Sequence, residues 1–311
     1  MREQRRSGRF SRTTVSLVLY TGLAIAALMF VYNAWEKRAI ENARRTLLGE
    51  VRAAKATVGA EWEPLQASIE RYAGDEAFRN PTYPGDHTDP AMLGWQFRDQ
   101  PGLYVRVRLR DVVGTPDFTG EFRKLALLST HDGFTSCLLR SEAAAEVKEG
   151  VLSEHPWNLK TAYQAVRVLG DEWTQEVESA DSQLRLRAFA EQWQSARDTD
   201  IPRAIEMMTR SKFFLMVYDE DVDATNAGTM DELQAVPHPV RILLVDLQNK
   251  RVARRRLQAN ATYRMMGGSP ELEGSDAALR RQAQNCQLAR TFAESMQPTT
   301  ESPPSEGKPA Q

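Results

Sequence analysis

The acidic stretch YDEDVDATNAGTMDE, residues 218–232, places carboxylates at alternate positions, and such carboxylates can turn several oxygens toward one hard cation. With Asp221 as first ligand, Asp223 falls third, Thr225 fifth and Glu232 twelfth, which half-matches a calcium loop. The fifth-position acid and the sixth-position glycine are missing, with Asn226 at the turn, and an apolar strand precedes the stretch where the standard motif has a helix. The competing reading is a solvated acidic loop between two strands. Calcium is the one cofactor the sequence suggests.

Two cysteines, Cys137 and Cys286, are the only thiols. In an oxidising compartment an even count favours a disulfide; the alternative is two buried free thiols. Neither lies in a CxxC motif, which argues against thiol-redox catalysis. Arginines gather at Arg106, Arg108 and Arg110 and again at Arg254 and Arg256. On neighbouring strands they would make a basic face for phosphate or carboxylate groups. The plainer expectation is that they pair with acids of the same fold, for example Glu172, Glu176 and Glu178. His87, His131, His155 and His238 are scattered, without HExxH spacing. His131-Asp132 reads as turn chemistry. No GxSxG, P-loop or GxGxxG is present, so no catalytic residue is named.

The elements that would position these groups follow from the apolar pattern. Thr14–Trp35 carries no charged side chain and matches the thickness of a hydrocarbon core at the helical rise. Residues 1–13 are basic, so the positive-inside rule puts the head in the cytoplasm and the rest outside it. The expectation is a single-pass signal-anchor protein with residues 14–35 as transmembrane helix and an extracytoplasmic domain, periplasmic in a bacterium. The lipid bilayer and another envelope protein would then be its partners. A cleaved signal peptide is the alternative.

Residues 36–76 read as a helical stalk with apolar residues at 4-3 spacing: Ile40, Leu47, Val51, Ala54 and Val58. A homodimer through this seam competes with a stalk lying against its own domain. Pro64 is expected to break the helix.

Residues 77–296 read as an α+β domain of about six strands in a mostly antiparallel sheet. The expected strands are 103–113, 124–130, 134–140, 212–218, 240–247 and 251–257, with a helical block over 158–210 and a last helix over 275–296. The strand at 103–113 alternates, with Tyr104, Arg106, Arg108 and Arg110 on a wet face. Residues 297–311 read as a disordered tail. The element order is compatible with a sensor-like sheet of the PAS or Cache kind, an analogy that no motif carries.

Taking the five arginines and one glutamate of the first twelve residues from the 40 basic and 42 acidic ones leaves 35 against 41. That balance argues against broad nucleic-acid binding. The leading functional expectation is a non-enzymatic interaction or scaffold module in the cell envelope. The alternatives are a ligand-sensing domain that signals through a membrane partner, and a hydrolase with a dispersed active site.

Overall fold

The computed structural model describes residues 12–75, 79–98, 100–129, 132–141, 157–222, 228–260 and 273–298. The chain divides into a helical unit, residues 1–56 with 168–195, and a sheet unit, residues 57–167 with 196–311. Helix α1, Arg12–Ala73, contributes to both and is unbroken. Pro64 lies inside it, not at a break. An interior proline costs a helix about 3 kcal/mol. Here Trp62, Ile69 and Ala73 on either side are buried in the core of the sheet unit, and that packing offsets the lost bond.

The transmembrane reading is corrected. No helix among the described residues is long and apolar enough to cross a membrane. From Tyr20, where the side chains of α1 are first described, the continuous apolar run is Leu23–Val31. At the helical rise it spans about 14 Å, half of the roughly 30 Å of hydrocarbon. Asn33, Glu36, Lys37 and Arg38 follow it. The signal anchor, the single-pass topology and the envelope and periplasmic placement drawn from residues 14–35 fall with that reading.

In the helical unit, α1 packs with α5 (Asp171–Glu178) and α6 (Gln183–Ser195). Leu47, Leu48 and Val51 of α1 are buried there, as are Trp173, Val177, Leu186 and Trp193. The stalk residues Leu47 and Val51 are thus covered by the chain itself. Trp193 Nε1 donates to Glu50 at 3.1 Å, and Arg44 Nη2 donates to the Ala180 carbonyl at 2.6 Å.

The sheet unit is built on six strands: β1 (His87–Thr88), β2 (Gly102–Arg108), β3 (Trp157–Asn158), β4 (Phe213–Asp219), β5 (His238–Asp246) and β6 (Arg251–Ala259). Their order is β1-β6-β5-β4-β2-β3. The sheet is mixed, where a mostly antiparallel one was expected: β2 runs parallel to both β3 and β4, and β4-β5-β6-β1 are antiparallel. Gly102 opens β2 against the ring of Phe213, where an added Cβ would sit 2.2 Å away.

Both faces of the sheet are covered. One carries the end of α1 with α2 (Phe118–Leu128), α4 (Leu159–Val166) and α7 (Ile201–Arg210), over Val105, Val107, Phe214 and Met216. Glu70 of α1 ties this layer together, accepting from Arg123 Nε at 2.7 Å and from the Tyr163 hydroxyl at 3.1 Å. The other face carries α3 (Gly133–Ser141) and α9 (Glu273–Ser295), over Tyr104, Leu215, Val217 and Leu244.

Of the two stretches expected as strands, 124–128 belongs to α2 and 134–140 to α3; residue 130 lies outside the described residues. Asp132-Gly133 is not a hairpin turn: the Asp132 carboxylate accepts from Phe134 N–H at 3.0 Å and caps α3. The tail beyond Pro298 lies outside the described residues.

Candidate functional site

Strand β2 was expected to show a wet face, yet all seven of its residues are buried. Arg106 and Arg108 are therefore buried as well, and each needs a partner. The parallel register supplies them. Arg106 stands opposite Val217 and Arg108 opposite Asp219, so the acids two places further along β4 lie diagonally within reach of a long side chain. Arg106 grips Asp219 with both arms, Nε to Oδ2 at 2.6 Å and Nη2 to Oδ1 at 2.5 Å. Its Nη1 donates to Asp132 at 2.9 Å and to Asn285 of α9 at 2.6 Å. Arg108 pairs with Asp221, and Arg110 lies 3.8 Å from the same carboxylate.

His238, at the start of β5 and fully buried, closes the cluster. Its Nε2 meets Asp219 at 2.7 Å and its Nδ1 meets the Val236 carbonyl at 2.8 Å. The Tyr104 hydroxyl donates to Asp132 at 2.6 Å.

Burial by itself would raise the Asp219 carboxyl. The charge and hydrogen bonds of Arg106, with His238, more than reverse this and hold it at about 2. Burial likewise works against the Arg106 charge, and Asp219 and Asp132 overcome it, keeping the guanidinium ionised. Tyr104 is pushed up by burial and by the Asp132 charge.

The sign of the pH effect follows. A carboxyl lowered in the folded state contributes stability above its unfolded value near 4 and loses it as pH falls toward 2. The contribution is on the order of 2 kcal/mol. Urea unfolding at stepped pH should show stability dropping across that window, with a shallower drop in Asp219→Asn. Equal slopes for the two proteins would reject the assignment.

Asp219, Glu220 and Asp221, read as part of an acidic loop, are spent on arginines. Glu220 accepts from Arg241 Nε at 2.6 Å and Arg256 Nη2 at 2.8 Å on the opposite face from Asp219. Asp221 is engaged by Arg108, and Glu232 accepts from Thr229 N–H at 2.6 Å in a capping box that starts α8 (Met230–Gln234). Asp223 and Thr225 lie outside the described residues. Among the described residues no group of three or more His, Cys, Asp or Glu is placed to hold a metal ion.

Arg254 donates to the Gly85 carbonyl at 3.2 Å. Arg106 and Arg108 lie on the sheet face of Tyr104 and Val217, whereas Arg254 and Arg256, opposite Leu243 and Arg241 of β5, lie on the other face, so the two groups form no common basic face. Cys137 of α3 and Cys286 of α9 are joined as a disulfide with Cα atoms 5.0 Å apart. Cys137 sits on a helix, not on the expected strand.

Two adjoining cavities open at the carboxyl edge of β2 and β4. The first, about 240 Å³, is lined by Arg106, Ser129, Asp132 and, from α8, Met230, Asp231 and Gln234. The second, about 300 Å³, shares Arg106, Leu128, Ser129, Thr229 and Met230 with it and extends to Arg108 and Arg110. The cleft forms because the chain leaves β2 for α2 on one face and then crosses to α3 on the other. A crevice outside the carboxyl ends of parallel strands is where open sheets of this kind take ligands. Asp219, fully buried and held ionised by Arg106, is set for charge neutralisation, not for giving or taking a proton near neutral pH.

Sequence reasoning missed Asp132, Asn285, His238 as a partner, and Gln234. One signal was present: alternate arginines in RVRLR and alternate acids in YDED, each at the end of an apolar strand, are complementary patterns. No protein-family model matches the chain, and no curated protein or solved structure matches it either.

Proposed function

We propose that the sheet unit is a ligand-binding domain that takes a small organic molecule in the cleft beside Arg106. The pair of adjoining cavities at the carboxyl edge of β2 and β4 carries this reading. Their combined size falls in the range of small-molecule sites, and apolar Leu128 and Met230 face polar Ser129 and Gln234, as such sites require. Recognition of this kind fits the ligand-sensing alternative drawn from the sequence.

A second reading, a non-enzymatic interaction or scaffold module, draws on a different observation. Leu23, Ile25, Leu28, Phe30 and Val31 of α1 are all more than half exposed. Exposed contiguous apolar surface marks contact sites.

Thermal unfolding of the full-length protein against a library of small metabolites separates the two. The binding reading expects at least one compound to raise Tm, by mass action on the folded state. It expects Met230→Trp, which fills the shared wall of the cavities, to abolish that rise. A library with no stabilising compound, or one whose hits survive Met230→Trp unchanged, leaves the interaction reading in its place.

A further inference from the structure

Gln234 ends the short helix α8 and is 6% exposed, yet among the described residues its side chain has no hydrogen-bond partner. A polar side chain so placed pairs with water or with a ligand in the space it lines. This amide lines the smaller cavity, and its atoms are not sealed away from it. Beside it, the Ser129 hydroxyl accepts from Arg106 N–H at 3.2 Å, which leaves its own O–H to donate. Ser129 is also buried and lines the same cavity.

The charged groups around the cavity are already engaged. Arg106 is held by Asp219 and Asp132, and Asp231 pairs with Arg281. A charged ligand would have to break one of these pairs; a neutral one would not. The cavity of about 240 Å³ equals the liquid volume of about eight waters, the scale of a monosaccharide or a small amide. Leu128 and Met230 offer apolar contact for its carbon skeleton.

We infer that Gln234 is the specificity-determining residue of a subsite for a compact neutral ligand presenting a donor and an acceptor side by side, as a polyol hydroxyl pair or a primary carboxamide does. The inference rests on the reading of the cleft as a binding site. The amide nitrogen donates to the ligand oxygen, the amide oxygen accepts from the ligand O–H or N–H, and Ser129 adds a second donor.

The test uses the full-length protein and three sets of probes at millimolar concentration: neutral hexoses and polyols, primary carboxamides, and matched monocarboxylates with inorganic phosphate. Binding is read by calorimetry and Tm. A hit in one neutral set is expected, and it names the source of the donor–acceptor edge. Gln234→Leu should weaken that hit at least about tenfold while leaving the Tm of the unliganded protein unchanged, since no hydrogen bond within the protein is lost. Gln234→Glu, which keeps size and loses the donor, should weaken it as well. Undiminished binding in both variants, or a lowered Tm of unliganded Gln234→Leu, overturns the assignment. Hits confined to the charged set, blocked by Met230→Trp, overturn the neutral-ligand inference while leaving the cleft reading standing. No hit in any set overturns the neutral-ligand inference, while the cleft reading stands or falls with the metabolite library.

Discussion

Arg106→Met should destabilise the sheet unit by about 3 to 5 kcal/mol, the range found when one partner of a buried ion pair is removed. The size of the effect comes from what is left behind. Asp219 is fully buried, and without Arg106 its carboxylate keeps, among the described residues, only His238. Asp132 loses its 2.9 Å contact and Asn285 its 2.6 Å contact at the same time. Arg106→Lys should recover only part of the loss, because an ammonium cannot grip both oxygens of Asp219 while also reaching Asp132. Arg106→Met combined with Asp219→Leu should be less damaging than Arg106→Met alone, since the fully buried Asp219 charge is removed with its partner and only Asp132 is left without the guanidinium. Urea unfolding of the four proteins measures this. A loss below about 1 kcal/mol for Arg106→Met would mean that the network is solvated and not structural.

The second large effect belongs to the disulfide. Cys137 and Cys286 are separated by 149 residues, and closing a loop of that length removes up to about 5 kcal/mol of unfolded-state entropy in the chain-entropy account. Cys286→Ser, or the wild-type protein unfolded in a dithiol reductant, should lose about 3 to 5 kcal/mol, and the native protein should offer no alkylatable thiol. The bond is linked to Arg106 through two of its hydrogen-bond partners. Asp132 caps the helix that carries Cys137, and Asn285 immediately precedes Cys286. Losses from Cys286→Ser and Arg106→Met should therefore fall short of additive, as expected for residues in one network. Equal stability with and without reductant would remove the bond from the account.

Legibility of the fold varied with the range of the interaction that decides each element. The run KFFLMVY at 212–218 has strand length and no polar interruption, and it is β4. The strands expected at 240–247 and 251–257 are β5 and β6, joined by a turn at Asn249-Lys250, with Lys250 at φ 57° and Asp246 accepting from Asn249 N–H at 3.0 Å. The last helix, expected over 275–296, runs Glu273–Ser295.

Short apolar runs misled where helix and strand periods cannot be told apart. LALLSTHDGFTSCLLR alternates well enough for two strands, and Asp-Gly suits a hairpin turn equally with a helix cap. Tertiary packing of Phe122, Ala126, Phe134 and Leu138 against the two faces of the sheet decides for helices. The parallel pairing of β2 with β4 has no local signature, since its partners are far apart in the chain. The charge cluster shares that difficulty: Arg106 and Asp219 stand 113 residues apart. Each was visible as a charge next to an apolar strand; their meeting was not. Gln234 gave no signal at all, because what marks it is a missing partner, which only the packed structure reveals.

The claim at the centre of the account is that the cleft beside Arg106 holds a small molecule. A crystal structure of the full-length protein with the strongest stabilising compound tests it most directly. The account predicts ligand density between Ser129 and Gln234, within hydrogen-bond distance of the Gln234 amide and in contact with Leu128 or Met230. Density at another place on the chain, with the cleft unchanged, would contradict it.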